Sequence, residues 1–180
     1  MFGNTALEII DSKPFKISEG RVFENGSFGI GICPGHSARL DIGARCLSSD
    51  LAAVKEWGAS LIVTLITKPE FKILGVLDFE DKIKETGIDW LHFPIHDGGV
   101  PNAGECNVFE RMIETISNEI MSNRKVFIHC RGGLGRSGLV VCQALKRMGF
   151  EPKKSLKLAR SWRRGAVENK IQENFVLNSS

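Results

Sequence analysis

Apolar residues in this 180-residue chain follow two rhythms. Short runs rich in β-branched and aromatic residues alternate with segments whose apolar positions recur every three to four residues, which predicts strands and helices in turn. Phe15-Lys16-Ile17 and Phe28-Gly29-Ile30-Gly31-Ile32 read as strands about an Asn25-Gly26 turn. Cys33-Pro34-Gly35 stops the second, and loop is expected through Ser37-Ala38-Arg39. A helix is predicted from about Asp50 to Trp57, capped by Ser48 or Ser49 and ended by Gly58. Leu61 to Ile66 is an almost unbroken apolar run, hence a buried strand. Asp78 to Thr86 reads as a helix ended by Gly87, and Trp90 to Phe93 as a strand stopped by Pro94. His96-Asp97-Gly98-Gly99-Val100-Pro101 must be loop. Val108, Met112, Ile113, Ile116 and Ile120 share one helical face. A strand over Val126 to Ile128 and a helix over Leu139 to Met148 bracket a glycine loop. Helices over Ser155 to Arg164 and Lys170 to Leu177 come next, separated by Gly165.

Strand–helix–strand repeats with apolar strands predict an α/β fold: a central, mostly parallel sheet with helices on both faces, and an antiparallel edge from the N-terminal segment. Residues 1–180 read as one domain, with 1–25 as an edge segment. Ligands of such sheets bind beyond the carboxyl ends of the strands. Two loops fall there, 94–101 and 130–137.

Composition narrows the class without changing that picture. No apolar run approaches the roughly 20 residues of a membrane span, and residues 1–11 lack the basic start and apolar stretch of a signal peptide. Five cysteines without a Cys-x-x-Cys pair argue for reduced thiols and a cytoplasmic location rather than a disulfide framework or zinc ribbon. Net charge is +3, but Lys146 to Lys170 holds nine basic and two acidic residues. That block suits an anionic substrate or partner, or a solvated helix face. No nucleic-acid partner is expected, and oligomeric state is not legible.

The chemistry concentrates in Val126 to Gly138. Strand, tight glycine loop and helix aim backbone N–H groups and the positive end of a helix dipole at one point, which makes an anion nest. A cysteine at its lip is held as the nucleophilic thiolate, and Arg136 brings a planar fork suited to phosphate. Gly133-x-Gly135-x-x-Gly138 also spells a dinucleotide fingerprint, but no strand comes after the helix. A Walker loop would need Gly-Lys-Ser/Thr, which is absent. His92 and His96 have metal-like spacing, but Pro94 breaks any helix that would align them and a third ligand is not evident, so no metal or other cofactor is expected.

Cys-x5-Arg is the spacing that lets a sulfur and a guanidinium reach one phosphoryl group with the intervening amides wrapped around it. His129-Cys130-x5-Arg136-Ser137 is the signature of the cysteine-dependent protein phosphatases, and this sequence resembles their dual-specificity type. Cys130 to Ser137, taken with Pro94 to Pro101, is similar to the kinase-associated phosphatase family, also called cyclin-dependent kinase inhibitor 3. The resemblance implies a protein tyrosine phosphatase-like fold. Chemistry assigns Cys130 as nucleophile, with Arg131, Gly132, Gly133, Leu134, Gly135 and Arg136 binding the phosphate through their amides and the Arg136 fork. The leaving oxygen needs a proton. Asp97 is the best donor because its loop ends a neighbouring strand, and the family's general acid matches it. Ser137 can hydrogen-bond the departing sulfur, and His129 orients the loop. Arg164-Gly165-Ala166-Val167 with Gln172 resembles the family's Arg-x-Gly-Ala stretch and downstream glutamine, which implies a water-positioning role for Gln172. Cys33 and Cys106 are the candidate oxidation partners of Cys130.

The expected activity is hydrolysis of phosphomonoesters on protein through a phosphocysteine. The chain has no tyrosine, so it lacks the ring that tyrosine-specific members stack on phosphotyrosine. That implies a shallower pocket able to take phosphoserine or phosphothreonine as well as phosphotyrosine. A phosphorylated protein, a kinase among the candidates, is the expected partner. Arg131 stands where the family usually has tyrosine and leaves the partner open. A phosphoinositide or small-phosphate phosphatase is the alternative enzyme, and a silent phosphate-binding scaffold the alternative to an enzyme.

Overall fold

The computed structural model describes residues 14–36 and 45–179. Its centre is a five-stranded sheet in the order β1-β2-β5-β3-β4. The strands are β1 (Ser18–Arg21), β2 (Ser27–Gly31), β3 (Ala59–Thr64), β4 (Asp89–His92) and β5 (Lys125–His129). Every neighbouring pair is parallel except β1 with β2, so the antiparallel edge is the N-terminal one. The helices are α1 (Leu47–Glu56), α2 (Lys68–Ile73), α3 (Phe79–Thr86), α4 (Cys106–Met121), α5 (Gly135–Arg147), α6 (Pro152–Trp162) and α7 (Lys170–Asn178).

Strand periodicity divides the core in two. Val126 and Ile128 of β5 face a cluster that includes Phe109, Ile113 and Ile116 of α4, Leu139, Val141 and Leu145 of α5, Leu156 of α6 and Val176 of α7. Phe127 faces the opposite cluster, with Leu51 and Val54 of α1, Leu74 and Val76 after α2, and Phe79 and Ile83 of α3. Helices therefore cover both faces of the sheet, as the strand–helix alternation predicts.

Several boundaries move. The first strand forms at Ser18–Arg21, just after Phe15-Lys16-Ile17. α1 begins at Leu47 with Cys46 at its cap, so Ser48 and Ser49 lie inside it. α5 begins at Gly135, four residues before Leu139, because Gly138 N–H already bonds Leu134 O at 3.0 Å. α2 is an element the periodicity does not announce. Its six residues are too few for a repeat, and it is set by a Thr67–Glu70 capping box with proline in its first turn. The loop expected at Ser37 to Arg39 lies outside the described residues.

Register explains why the site forms where it does. Gly31 lies opposite His129, His129 opposite Thr64, and Thr64 opposite His92. The carboxyl ends of four parallel strands are thus level, and the segments that leave them emerge along one edge of the sheet.

Candidate active site

β5 delivers Cys130 to that edge, and the loop then turns back tightly over the end of β2. Gly133 has φ +65°, and a Cβ there would strike the Gly31 carbonyl. The left-handed backbone and the close approach both require glycine. From outside the loop, Arg163 at the end of α6 donates through Nε to Gly133 O at 3.0 Å and through Nη2 to Gly132 O at 3.2 Å. A peptide's N–H points opposite to its C=O, so fixing these carbonyls outward fixes the following amides inward. The loop runs straight into the N-terminus of α5, whose dipole adds positive potential.

Cys130 is 3% exposed and borders a pocket of about 290 Å³. Arg131, Gly132, Leu134 and Gly135 form one wall, and His36, Asp97 and Glu168 come from elsewhere in the chain. Ser137 is buried in the first turn of α5 with Oγ 3.6 Å from Cys130 Sγ, within reach of a weak O–H···S bond.

Arg136 is almost fully buried, and its charge is matched by carboxylates on two other elements. Nη1 and Nη2 each donate to Glu70 at 2.8 Å, Nη1 also donates to Ile95 O at 2.9 Å, and Nη2 to Asp97 Oδ1 at 2.9 Å. Its Nε–H is buried without a partner among the described residues. Burial works against the guanidinium charge, but the hydrogen bonds it donates to Glu70 and the neighbouring charges outweigh it and raise the pKa of Arg136. Glu70 shows the reciprocal effect. Burial would push its carboxyl up, and hydrogen bonds from Arg136 and Thr67 hold it below the usual carboxylate range.

His129 is sealed in the sheet. Its Nε2 lies 2.8 Å from Thr64 Oγ1, which accepts the Trp90 indole N–H at 2.9 Å, and its Nδ1 lies 3.4 Å from Cys130 O. A carbonyl can only accept, so Nδ1 carries the proton and Thr64 donates to Nε2. Complete burial drives the imidazole pKa down to about 3. This is the geometry of a neutral ring that fixes the start of the loop.

The Asp97 loop is held by α7. Asn169, the cap of that helix, donates through Nδ2 to Gly98 O at 2.8 Å, and Gln172 donates through Nε2 to Gly99 O at 3.2 Å. Asp97 itself is exposed, with Oδ2 4.0 Å from Arg131 Nη1. Gln172 is fully buried; Glu168 N–H donates to its Oε1 at 3.2 Å. It stands behind the pocket wall, and Glu168 faces the pocket. His92, read for metal-like spacing, bonds Ile66 O through Nε2 at 2.8 Å. Burial, and then the charge of Cys130, push the Cys33 thiol well above its ordinary range, while Cys106 is exposed on α4.

Four contributors escape the sequence. Glu70 lies on the unannounced α2. Arg163 looks like one charge in a basic block, and Glu168 like a loop acid. Asp50 is buried in α1, where it accepts from Gly35 N–H and Arg45 at 2.7–2.8 Å and pins the segment leading to His36. For Glu70 the available signal was Thr67-x-x-Glu70, a capping-box spacing just after a strand.

The model of the cyclin-dependent kinase inhibitor 3 family matches residues 9–151. Cyclin-dependent kinase inhibitor 3 of Mus musculus is 30% identical over 154 residues, which cover 84% of this chain and 72% of that protein. Protein tyrosine phosphatase type IVA 3 of Bos taurus is 27% identical over 126 residues, covering 69% and 66%. A crystal structure of kinase associated phosphatase with its catalytic-site cysteine replaced by serine has a TM-score of 0.78 at 27% identity, covering 91% of this chain and 92% of that one. The fold is that of the protein tyrosine phosphatases, and the chain belongs to the cyclin-dependent kinase inhibitor 3 family of cysteine-dependent protein phosphatases.

Proposed function

We propose that this phosphatase cleaves phosphoserine, phosphothreonine and phosphotyrosine esters on protein through a phosphocysteine at Cys130. The observation that supports the reading is the Asp97–Arg136 hydrogen bond, which ties the buried guanidinium to the acid of a pocket that Cys130 also lines. The Cys130 thiolate attacks phosphorus. Amides of residues 131–136 and the Arg136 fork stabilise the equatorial oxygens, and the unpartnered Nε–H is a ready donor for one of them. An incoming phosphoryl oxygen takes over Arg136 Nη2 and frees the Asp97 carboxylate, which takes up a proton from solvent and delivers it to the leaving oxygen. Ser137 then hydrogen-bonds the sulfur as it leaves. His129 and Glu70 position the loop and the guanidinium without touching substrate.

The absence of tyrosine supports breadth toward phosphoserine and phosphothreonine, because no phenol ring lines the pocket. The name of the mouse relative supports a phosphorylated kinase among the substrates. Five free thiols, with catalysis dependent on one, support a cytoplasmic, reducing setting. Among the described residues no helix is long and apolar enough to cross a membrane. Two core clusters on one shared sheet support residues 1–180 as one phosphatase domain.

Substrate trapping tests the proposal. Cys130→Ser and Asp97→Ala should retain phosphoproteins that the wild type releases, and free phosphate analogues should elute them. Activity on inositol lipids exceeding that on phosphopeptides would favour the lipid alternative. A folded wild type that hydrolyses no aryl phosphate would leave only the scaffold.

A further inference from the structure

Among the described residues the pocket carries two carboxylates, and formation of the phosphocysteine uses only one. Asp97 has partners for both oxygens, Arg136 at 2.9 Å and Arg131 at 4.0 Å. Glu168 also lines the pocket, yet among the described residues its carboxylate makes no hydrogen bond or ion pair. Its position is specific. A Cβ added at Gly135 would collide with Glu168 Oε1 and lie 2.7 Å from Gln172 Oε1. The bare Cα of Gly135, at the amino end of α5, is therefore what lets the carboxylate lie against the anion nest.

Two features hold Glu168 there. Its own N–H is fixed by Gln172 Oε1. The preceding Val167 adopts φ +58°, a left-handed conformation that a β-branched residue rarely takes. Val167 is clamped in that state by its N–H to Leu134 O at 3.3 Å and by Arg160 Nη2 donating to its carbonyl at 3.2 Å. Strain kept beside a site re-aims the next residue along the chain, which here is the pocket carboxylate. Gln172 has no comparable access. It is fully buried, its Oε1 engaged by Glu168 N–H and its Nε2 by Gly99 O.

We infer that Glu168, rather than Gln172, orients the water that hydrolyses the phosphocysteine and accepts its proton. The inference rests on the phosphocysteine route proposed above. In this step the water oxygen forms the new P–O bond while the P–S bond breaks. One water proton passes to the Glu168 carboxylate. The sulfur leaves as the Cys130 thiolate, and inorganic phosphate is the product. Gln172 acts through Glu168 and the Asp97 loop, as the brace that ties them together.

The two half-reactions can be timed separately on the full chain. With an aryl phosphate, the phenol burst reports phosphoenzyme formation, and quenching into alkaline denaturant after a chase reports its decay. In Glu168→Gln, formation should stay within about twofold of wild type while decay slows about 100-fold or more, the lower range for a lost proton acceptor, so that phosphoenzyme accumulates. Glu168→Asp should recover part of the decay rate. A Glu168→Gln phosphoenzyme that decays as fast as the wild type, or formation slowed as much as decay, would overturn the inference alone. A folded wild type that forms no phosphoenzyme would overturn the parent reading and this one with it.

Discussion

Glu70 grips Arg136 from 66 positions away with two parallel bonds, Nη1 to Oε2 and Nη2 to Oε1, both 2.8 Å. The same Oε2 accepts Thr67 N–H at 2.8 Å and the Thr67 hydroxyl at 2.9 Å. One carboxylate therefore closes the first turn of α2 and sets the plane of the guanidinium. Glu70→Ala should leave a buried charge and a helix start short of an acceptor, at a cost of about 3–5 kcal/mol in urea unfolding. It should also lower kcat/KM toward aryl phosphates about 100-fold through misplacement of the fork. Glu70→Gln, which keeps the shape, should fall between. Equal kcat/KM in all three proteins would mean that the pair has no part in positioning.

Asp97→Asn keeps the hydrogen bond to Arg136 but has no proton to give. Rates should therefore fall in proportion to how poorly the leaving group departs. Phosphoserine peptides should lose about 100-fold or more, and aryl phosphates with acidic phenols much less. A plot of log rate against leaving-group pKa should steepen relative to wild type. An unchanged slope would remove Asp97 from the acid role.

Legibility tracked the distance over which each residue acts. Cys130 and Arg136 belong to one short segment, so their spacing alone predicts that both face one phosphoryl group. Asp97 was reachable because the parallel order of β4, β3 and β5 puts their loops on one edge. Glu70 was not, because α2 is too short for periodicity and its partner lies beyond two further strands in sequence. The boundary of α5 was misplaced for a related reason. Glycines at 135 and 138 hide the helix start behind residues that weaken helices, while the anion nest requires glycine at Gly135 to admit the Glu168 carboxylate.

Arg163 braces the outside of the loop through the Gly132 and Gly133 carbonyls. Arg163→Ala should leave these acceptors to water and let the amides wander. Because Arg163 lies at the end of α6 and the core is untouched, urea unfolding should shift by no more than about 1–2 kcal/mol. Phosphate inhibition, by contrast, should weaken about tenfold or more. If stability fell without any change in the inhibition constant, the brace would be structural alone. Arg163→Lys should recover little, since one ammonium cannot span two carbonyls as the planar fork does.

Acid should unfold this protein earlier than its carboxylates alone would require, and His129 is the reason. Its folded pKa, about 3, lies below its ordinary 6.5, so the unfolded chain binds a proton that the folded chain refuses between those values. Stability is full above pH 6.5 and falls as pH drops through that window, by about 1.4 kcal/mol per unit and about 5 kcal/mol in all. Glu70 adds to the loss lower down. Its folded pKa lies below the ordinary 4.5, so its contribution is present above 4.5 and disappears as pH falls through the lowered value. Urea unfolding at pH 7.5, 6 and 5 should show the first decline above the range in which Glu70 contributes, and His129→Asn should flatten that segment while lowering stability at pH 7.5. A wild-type profile flat from pH 7.5 to 5 would show that the His129 ring takes up its proton inside the fold.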